Sequence, residues 1–203
     1  MRAFIYIGIV IAIGGVVLFT PLSHTIREAV MEDRAVRAER LFQGYGADVL
    51  RLAQRIEWGD AITARAIGPV QDRINDRFGE EITFLFHALG AGNIAAIDAL
   101  IGAGADVTMI DRPSEGSLRD FVYFLGSPGG DLLDQDSINE LIRIYLRHGG
   151  DPNYRLQGTG RQPLVSEVAL VTNIEGTRLL LEAGADPWAN VVDGGNTMTR
   201  LSV

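Results

Sequence analysis

The 203-residue chain contains no cysteine and no lysine. Without cysteine there is no disulfide bond, no thiolate metal site and no cysteine nucleophile, and the redox compartment stays undecided. All 18 basic side chains are arginine, which we attribute to genome composition rather than to chemistry. The formal net charge of −8 argues against nucleic acid as the main partner, because binding it usually requires a basic patch.

The acidic residues are unevenly distributed. From residue 81 onwards the chain has 8 Arg against 16 Asp and Glu, whereas residues 21–80 are nearly balanced. A partner with a basic surface would be steered towards the acidic part. The alternative is an acidic surface that is only solvated.

Charge is also missing from a long stretch near the start, Ala3 to Thr20. Together with Pro21 and Leu22 this run reaches the ~20 apolar residues that a membrane-spanning helix needs. A cleaved signal peptide would require small residues before a cleavage site, and "VLFTPLSH" offers none. We therefore predict one transmembrane anchor over 1–24, in the inner (cytoplasmic) membrane, and a polar linker helix over 25–46.

The side of the membrane stays open. The arginines that follow the span favour a cytoplasmic domain by the positive-inside rule, whereas the two-residue N-terminus favours export. We expect the domain on the periplasmic side. Gly8, Ala12 and Gly15 share one helix face and would permit close approach of a second anchor, so a homo-oligomer is an open alternative.

A phrase recurs three times in the remaining chain: "AIDALIGAGADV" (96–107), "LIRIYLRHGGDP" (141–152) and "GTRLLLEAGADP" (176–187). Apolar residues at spacings of three and four place a short helix in each copy. The glycines that follow the helices end them in the left-handed conformation, and the aspartates two residues later begin a turn. These structural turns are Gly104 and Asp106, Gly149 and Asp151, and Gly184 and Asp186.

The turns are not phosphate loops. A phosphate loop places its glycines before a helix, whose N-terminus binds the anion. Here each helix precedes its glycine. We conclude that these residues form architecture and not an active site.

At these phrases the chain resembles the ankyrin-repeat family. The segment "TFLFHALGAGNIAAIDALIGAGADV" (83–107) follows the family pattern closely, and "RQPLVSEVALVTNIEGTRLLLEAGADPW" (161–188) keeps Pro163, Leu164 and the second helix. The stretch 48–67 resembles a degenerate first unit, with Gly59 and Gly92 33 residues apart. The resemblance implies an all-α solenoid over 47–203, with about three helix-turn-helix repeats after the degenerate unit, and protein recognition by turn tips and first helices.

The middle unit is lengthened by "GSPGGDLLDQDS" (126–137), between its two helices. Inserted loops on a rigid scaffold often carry function, although they are also tolerated without one. Exposed aromatic residues in the turns are candidate interface anchors, unless they pack on a neighbouring turn. The predicted partner-binding residues are Asp111, Asp131, Asp134, Tyr154 and Trp188.

Catalytic motifs are lacking. His24, His87 and His148 are isolated along the chain, and we interpret them as structural. Asp131, Asp134 and Asp136 carry oxygen ligands suited to a hard cation, but they lack the glycine and the distal glutamate of a calcium loop. We predict no metal, no cofactor and no enzymatic activity.

The favoured hypothesis is a membrane-anchored module that binds a protein partner at the membrane surface. An immunity protein that masks a toxin is a concrete version of it. The alternatives are an enzyme or metal-dependent hydrolase that uses the acids of the insertion, and a structural subunit of an envelope assembly.

Overall fold

The structure is a computed structural model that describes residue 34 and residues 36–126, 133–156 and 162–189. All of them belong to one compact unit, Arg34–Val203. The predicted anchor over 1–24 and the first part of the predicted linker lie outside the described residues. Within the described part of the chain, no helix is both long enough and apolar enough to cross a membrane.

The protein is all-α. Among the described residues the only strand-like pairing is an isolated bridge between Arg155 and Pro163. The α-helices are α1 (Ala47–Glu57), α2 (Ala64–Ile67), α3 (Phe84–Ala91), α4 (Ile94–Gly102), α5 (Phe121–Gly126), α6 (Gln135–Arg147), α7 (Leu164–Leu170) and α8 (Ile174–Glu182). Three short 3₁₀ helices cover Gly68–Arg73, Gly79–Glu81 and Pro113–Glu115.

Consecutive helices form three pairs, α3 with α4, α5 with α6, and α7 with α8. The second helices pack in chain order, because α6 contacts both α4 and α8. The first helices also contact one another, α1 with α3 and α5 with α7. Each pair therefore buries its apolar face against the next pair, and one continuous core runs through the units.

An incomplete unit precedes the three pairs. The turn after α1 repeats the turn after α3, since Gly59 and Gly92 have φ angles of 78° and 67°. The amide of Asp60 donates to Arg55 O at 3.0 Å, as the amide of Asn93 donates to Ala88 O at 3.0 Å. The second helix of this unit is reduced to α2 and a kinked 3₁₀ segment, where a proline without an N–H group prevents regular helix.

The helical residues 36–42 pack into the same core. Ala38, Leu41 and Phe42 are buried, and the ring of Phe42 stacks on that of Phe84 at 5.4 Å. Phe78 lies 5.1 Å from Phe42. The described part of the expected polar linker over 25–46 is thus amphipathic. This part packs into the same folded unit as the helix pairs, across the expected boundary at residue 47.

Polar side chains cap the first helices at their N-termini. Thr83 accepts a hydrogen bond from the amide of Phe86 at 3.3 Å, and Asp120 accepts one from Tyr123 at 2.8 Å. The equivalent position in α7 is held by Pro163, which has no side-chain acceptor. Pro163 therefore holds the N-cap position that Thr83 holds in the first of the three pairs.

Second helices begin in the same way, with Asn93 capping α4 and Asn173 capping α8. In the lengthened unit this place is taken by Asp134, which accepts from the amide of Ser137 at 2.8 Å. Helix α6 has 13 residues where α4 has nine, so part of the extra length is one more helical turn. The rest of the insertion, residues 127–132, lies outside the described residues.

Candidate partner-binding face

The three repeated turns share one backbone geometry. Gly104, Gly149 and Gly184 have φ angles of 96°, 83° and 97°, in a region that only glycine enters at low cost. No atom lies within 4 Å of a Cβ built on any of them, so the backbone conformation alone calls for glycine. Each glycine follows the end of a helix. This geometry accounts for the glycines by the backbone of the turns.

Each aspartate of these turns organises the residues after it. Asp106 Oδ1 accepts from the amide of Thr108 at 2.8 Å, and Asp151 and Asp186 accept in the same way from Asn153 and Trp188 at 2.8 and 2.9 Å. Each aspartate side chain therefore forms its hydrogen bond within its own turn. This bond fixes the backbone of the residue that stands two places later in the chain.

Two asparagines reach a following turn: Asn153, which stands two places after Asp151, and Asn75, which precedes the first of the three turns. Asn75 donates to Gly104 O at 3.1 Å and accepts from the amide of Asp106 at 2.8 Å. Asn153 repeats both bonds further along the chain. The corresponding residue of the last described turn is Trp188, whose side chain is 62% exposed. Its indole is available to a partner or to a following unit.

The loop between α4 and α5 lines a cavity of about 220 Å³, which we call the arginine pocket. Its charged lining consists of Arg37, Arg112, Arg119 and Asp111. Its apolar lining consists of Ile82, Phe86, Leu89 and Phe124. The arginines come from the leading segment and from the loop between α4 and α5, and the two phenylalanines come from the first helices α3 and α5.

Helix α3 leaves room for the guanidinium of Arg37, because residue 90 is a glycine. Arg37 Nη1 donates to Gly90 O at 3.4 Å, and a Cβ on Gly90 would lie only 2.6 Å from Arg37 Nη2. Arg37 would therefore have to move if residue 90 carried a side chain. The guanidinium of Arg119, which also lines the pocket, lies over the ring of Phe124, 5.9 Å from its centroid.

Two polar atoms in the pocket lack hydrogen-bond partners among the described residues. Asp111 Oδ1 and Arg112 Nε are both buried without a hydrogen bond to any described residue, and they lie 3.9 Å apart. Burial raises the pKa of Asp111, against the lowering effect of the neighbouring Arg112. An unsatisfied buried polar group typically costs ~1–3 kcal/mol. A ligand that brings both a donor and an acceptor would remove this cost.

A second buried polar cluster lies behind Arg37. Glu57 is only 2% exposed, and its carboxylate lies 3.7 Å from Arg37 Nη1 and 3.3 Å from His87 Nε2. His87 Nε2 also lies 3.1 Å from Ala53 O, and because a carbonyl can only accept, this nitrogen carries the proton. Burial lowers the pKa of His87 to about 4 and raises the pKa of Glu57. The imidazole is thus neutral at pH 7 and fills a structural place.

The predicted site residues separate into different environments. Asp111 lines the arginine pocket, and Trp188 is exposed on a turn. Tyr154 is half-buried, and its hydroxyl donates to the buried Asp120 at 2.5 Å. Asp134 caps α6. Asp131 lies outside the described residues, so nothing is said of its surroundings.

Sequence reasoning missed the three arginines and the two phenylalanines of the pocket, because they come from three distant parts of the chain. The periodicity of Ala38, Leu41 and Phe42 was the signal that could have placed the leading segment against the repeats. In the described ranges, no cluster of three His, Asp or Glu side chains could hold a metal ion.

The described residues define an all-α protein of stacked helix pairs, with a pocket between its leading segment, the loop that joins α4 to α5 and the helices α3 and α5. No protein-family model matches the chain. No curated protein matches it either. Its function is therefore argued from this geometry.

Proposed function

We propose that this chain is a non-enzymatic, membrane-anchored module of the ankyrin-repeat type, which binds a protein partner with its turns and first helices. Support comes from the helix pairs, from turns such as those at Gly59 and Gly92 that lie 33 residues apart, and from the asparagines that connect one turn to the next. A rigid scaffold of this kind holds its loops in fixed positions, which favours recognition.

The arginine pocket carries the proposal. It lies at the junction of a turn loop with two first helices, and it holds a buried donor and a buried acceptor that no described residue satisfies. Apolar walls with a few convergent polar groups are typical of binding sites. The exposed Trp188 adds a large side chain that can bury area at low entropic cost.

The membrane part of the proposal depends on residues 1–24. An uncharged run of spanning length would hold the domain at the inner membrane, on the periplasmic side, where it would confine its partner to that surface. Masking of a toxin by an immunity protein is one activity that such an arrangement would perform. Fractionation of cells that express the full chain, or a chain that starts at residue 25, tests the anchor. Recovery of the full chain in the soluble fraction would contradict it.

Site-specific photocrosslinking tests the binding face. A photoreactive residue is placed in the full chain at Leu118, in the pocket loop, or at Trp188, and the control is placed at Ile174 on the second helix α8. Ile174 is 78% exposed, so the control is at least as accessible as either test position. One discrete crosslinked partner from Leu118 and Trp188, absent from Ile174, supports the proposal. Equal crosslinking from all three positions, or none, rejects it.

A further inference from the structure

We propose that the arginine pocket binds a carboxylate of an acidic peptide segment, which its arginines and Asp111 would recognise together. This inference rests on the proposed protein-binding function and names the chemistry of the partner. It differs from the expectation of a basic partner, which followed from the acidity of the chain as a whole.

Local charge is the first argument. Three arginines and one aspartate line the pocket, so its lining has a formal excess of two positive charges in a chain of net charge −8. The carboxylates near these arginines are loosely placed, with Glu57 3.7 Å from Arg37 and Glu115 3.9 Å from Arg112. The arginines therefore keep hydrogen-bonding capacity for an incoming anion.

The arrangement of Arg119 is the second argument. The guanidinium of Arg119 lies over the face of Phe124. Among the described residues it makes no ion pair within 4 Å and no side-chain hydrogen bond, although it is near enough to Asp111 to act on that carboxylate electrostatically. A guanidinium that stacks on an aromatic ring still presents its N–H edge, which suits a bidentate carboxylate. Ile82, Phe86 and Leu89 form apolar walls, which lower the local dielectric constant and so strengthen such a pair.

The unsatisfied atoms supply the third argument. Arg112 Nε needs an acceptor and Asp111 Oδ1 needs a donor, and they lie close enough for one ligand to reach both. An acidic peptide offers carboxylate oxygens to the arginines and a backbone N–H to Asp111. A phosphate dianion offers no donor, and a lysine side chain would meet three positive charges.

The test uses the purified full chain in detergent micelles, labelled with ¹⁵N-arginine, and follows the Nε–H signals by NMR. The probes are the amidated peptide acetyl-Leu-Glu-Leu, its glutamine and lysine analogues, inorganic phosphate, and the glutamine peptide with a free C-terminus. We expect saturable shifts of Arg112 and Arg119 with the glutamate peptide, and binding at least about tenfold weaker for its amidated glutamine analogue. If the free-acid glutamine peptide binds as well, a chain-terminal carboxylate can take the place of the side chain; if it does not bind, the pocket is selective for a side-chain carboxylate.

Variants separate the pocket from the general field. Arg119→Gln should weaken binding of the glutamate peptide about tenfold, whereas Arg65→Gln, which removes the same charge at an exposed site away from the pocket, should leave it unchanged. Gly90→Ala changes no charge and displaces Arg37, so it should also weaken binding.

Four results would overturn the inference: tighter binding of the lysine peptide, tighter binding of phosphate, equal losses in Arg119→Gln and Arg65→Gln, or no saturable binding of any carboxylate probe. The photocrosslinking experiment distinguishes this failure from failure of the proposed function. A partner that crosslinks at Leu118 while the pocket shows no carboxylate preference keeps the function and rejects its chemistry. Carboxylate binding without any crosslinked partner keeps the chemistry of the pocket and rejects the proposed function.

Discussion

Asn153 and Asp186 join two consecutive turns, although they lie 33 residues apart in the chain. Asn153 Oδ1 accepts from the backbone amide of Asp186 at 2.7 Å, and its Nδ2 donates to Gly184 O at 3.2 Å. One amide side chain thus satisfies a donor and an acceptor of the following turn. The turns are thereby tied to one another as well as to their own helices.

Replacing Asn153 with alanine should loosen the following turn. Two hydrogen bonds are lost at an exposed site, for which we expect about 1 kcal/mol of destabilisation and faster amide exchange at Asp186. Amide hydrogen exchange on the full chain measures the local effect. Thr108→Ala is the control, because Thr108 holds the corresponding place but its hydroxyl bonds only within its own turn. Unchanged exchange at Asp186 in Asn153→Ala would show that the bridge contributes nothing.

Gly184→Ala should destabilise the last described unit by about 1–3 kcal/mol, through backbone strain alone. The φ angle of 97° is unfavourable for any side chain, while the space around the Cβ is open. Gly184→Asn should cost less than alanine, since asparagine tolerates a left-handed conformation better. Urea unfolding of the full chain in detergent ranks the two variants. Equal stability of wild type and Gly184→Ala would mean that the turn relaxes freely.

The turns could be predicted from the sequence because their determinants are local. A glycine after an apolar helical run and an aspartate two residues later fix Gly104, Gly149 and Gly184 without reference to the rest of the fold. The all-α class followed from the same phrases.

The pocket could not be predicted in this way. Arg37 and Arg119 are 82 residues apart, and nothing near either of them indicates that they line one cavity. The chain-wide acidity pointed to a basic partner, whereas the fold gathers positive charge at one place. Tyr154 was open to two interpretations for the same reason, since its partner Asp120 lies 34 residues before it.

Tyr154→Phe should be destabilising, by about 1–3 kcal/mol, because it removes a hydrogen bond from a fully buried carboxylate. Burial raises the pKa of Asp120, and the bond from Tyr154 opposes that shift, so the same variant should raise the pKa further. Urea unfolding measures the stability. Trp188→Ala is the matched aromatic variant, and we expect little change in stability and weaker partner binding. A destabilised Trp188→Ala or a fully stable Tyr154→Phe would reverse the roles we assign to them.

The buried pair of His87 and Glu57 should make stability depend on pH. The pKa of His87 is about 4 in the folded protein against 6.5 for the free side chain, so the unfolded chain binds more protons between these values. Stability is therefore fully present above pH 6.5 and falls as the pH drops towards 4. The depression corresponds to about 3 kcal/mol. Glu57 has the opposite effect, because its pKa is raised and its protonation at low pH relieves the cost of burial.

We measure the free energy of unfolding of the full chain from pH 7 to pH 4. The loss of stability over this range should rank the variants in a definite order. Glu57→Gln removes the opposing carboxylate, so its loss of stability over this range should exceed that of the wild type. His87→Gln can still donate to Ala53 O but does not titrate, so it should lose the least. The difference between His87→Gln and the wild type isolates the imidazole from all other titrating groups. Parallel pH profiles for the three proteins would show that His87 takes up its proton in the folded state as readily as in the unfolded chain.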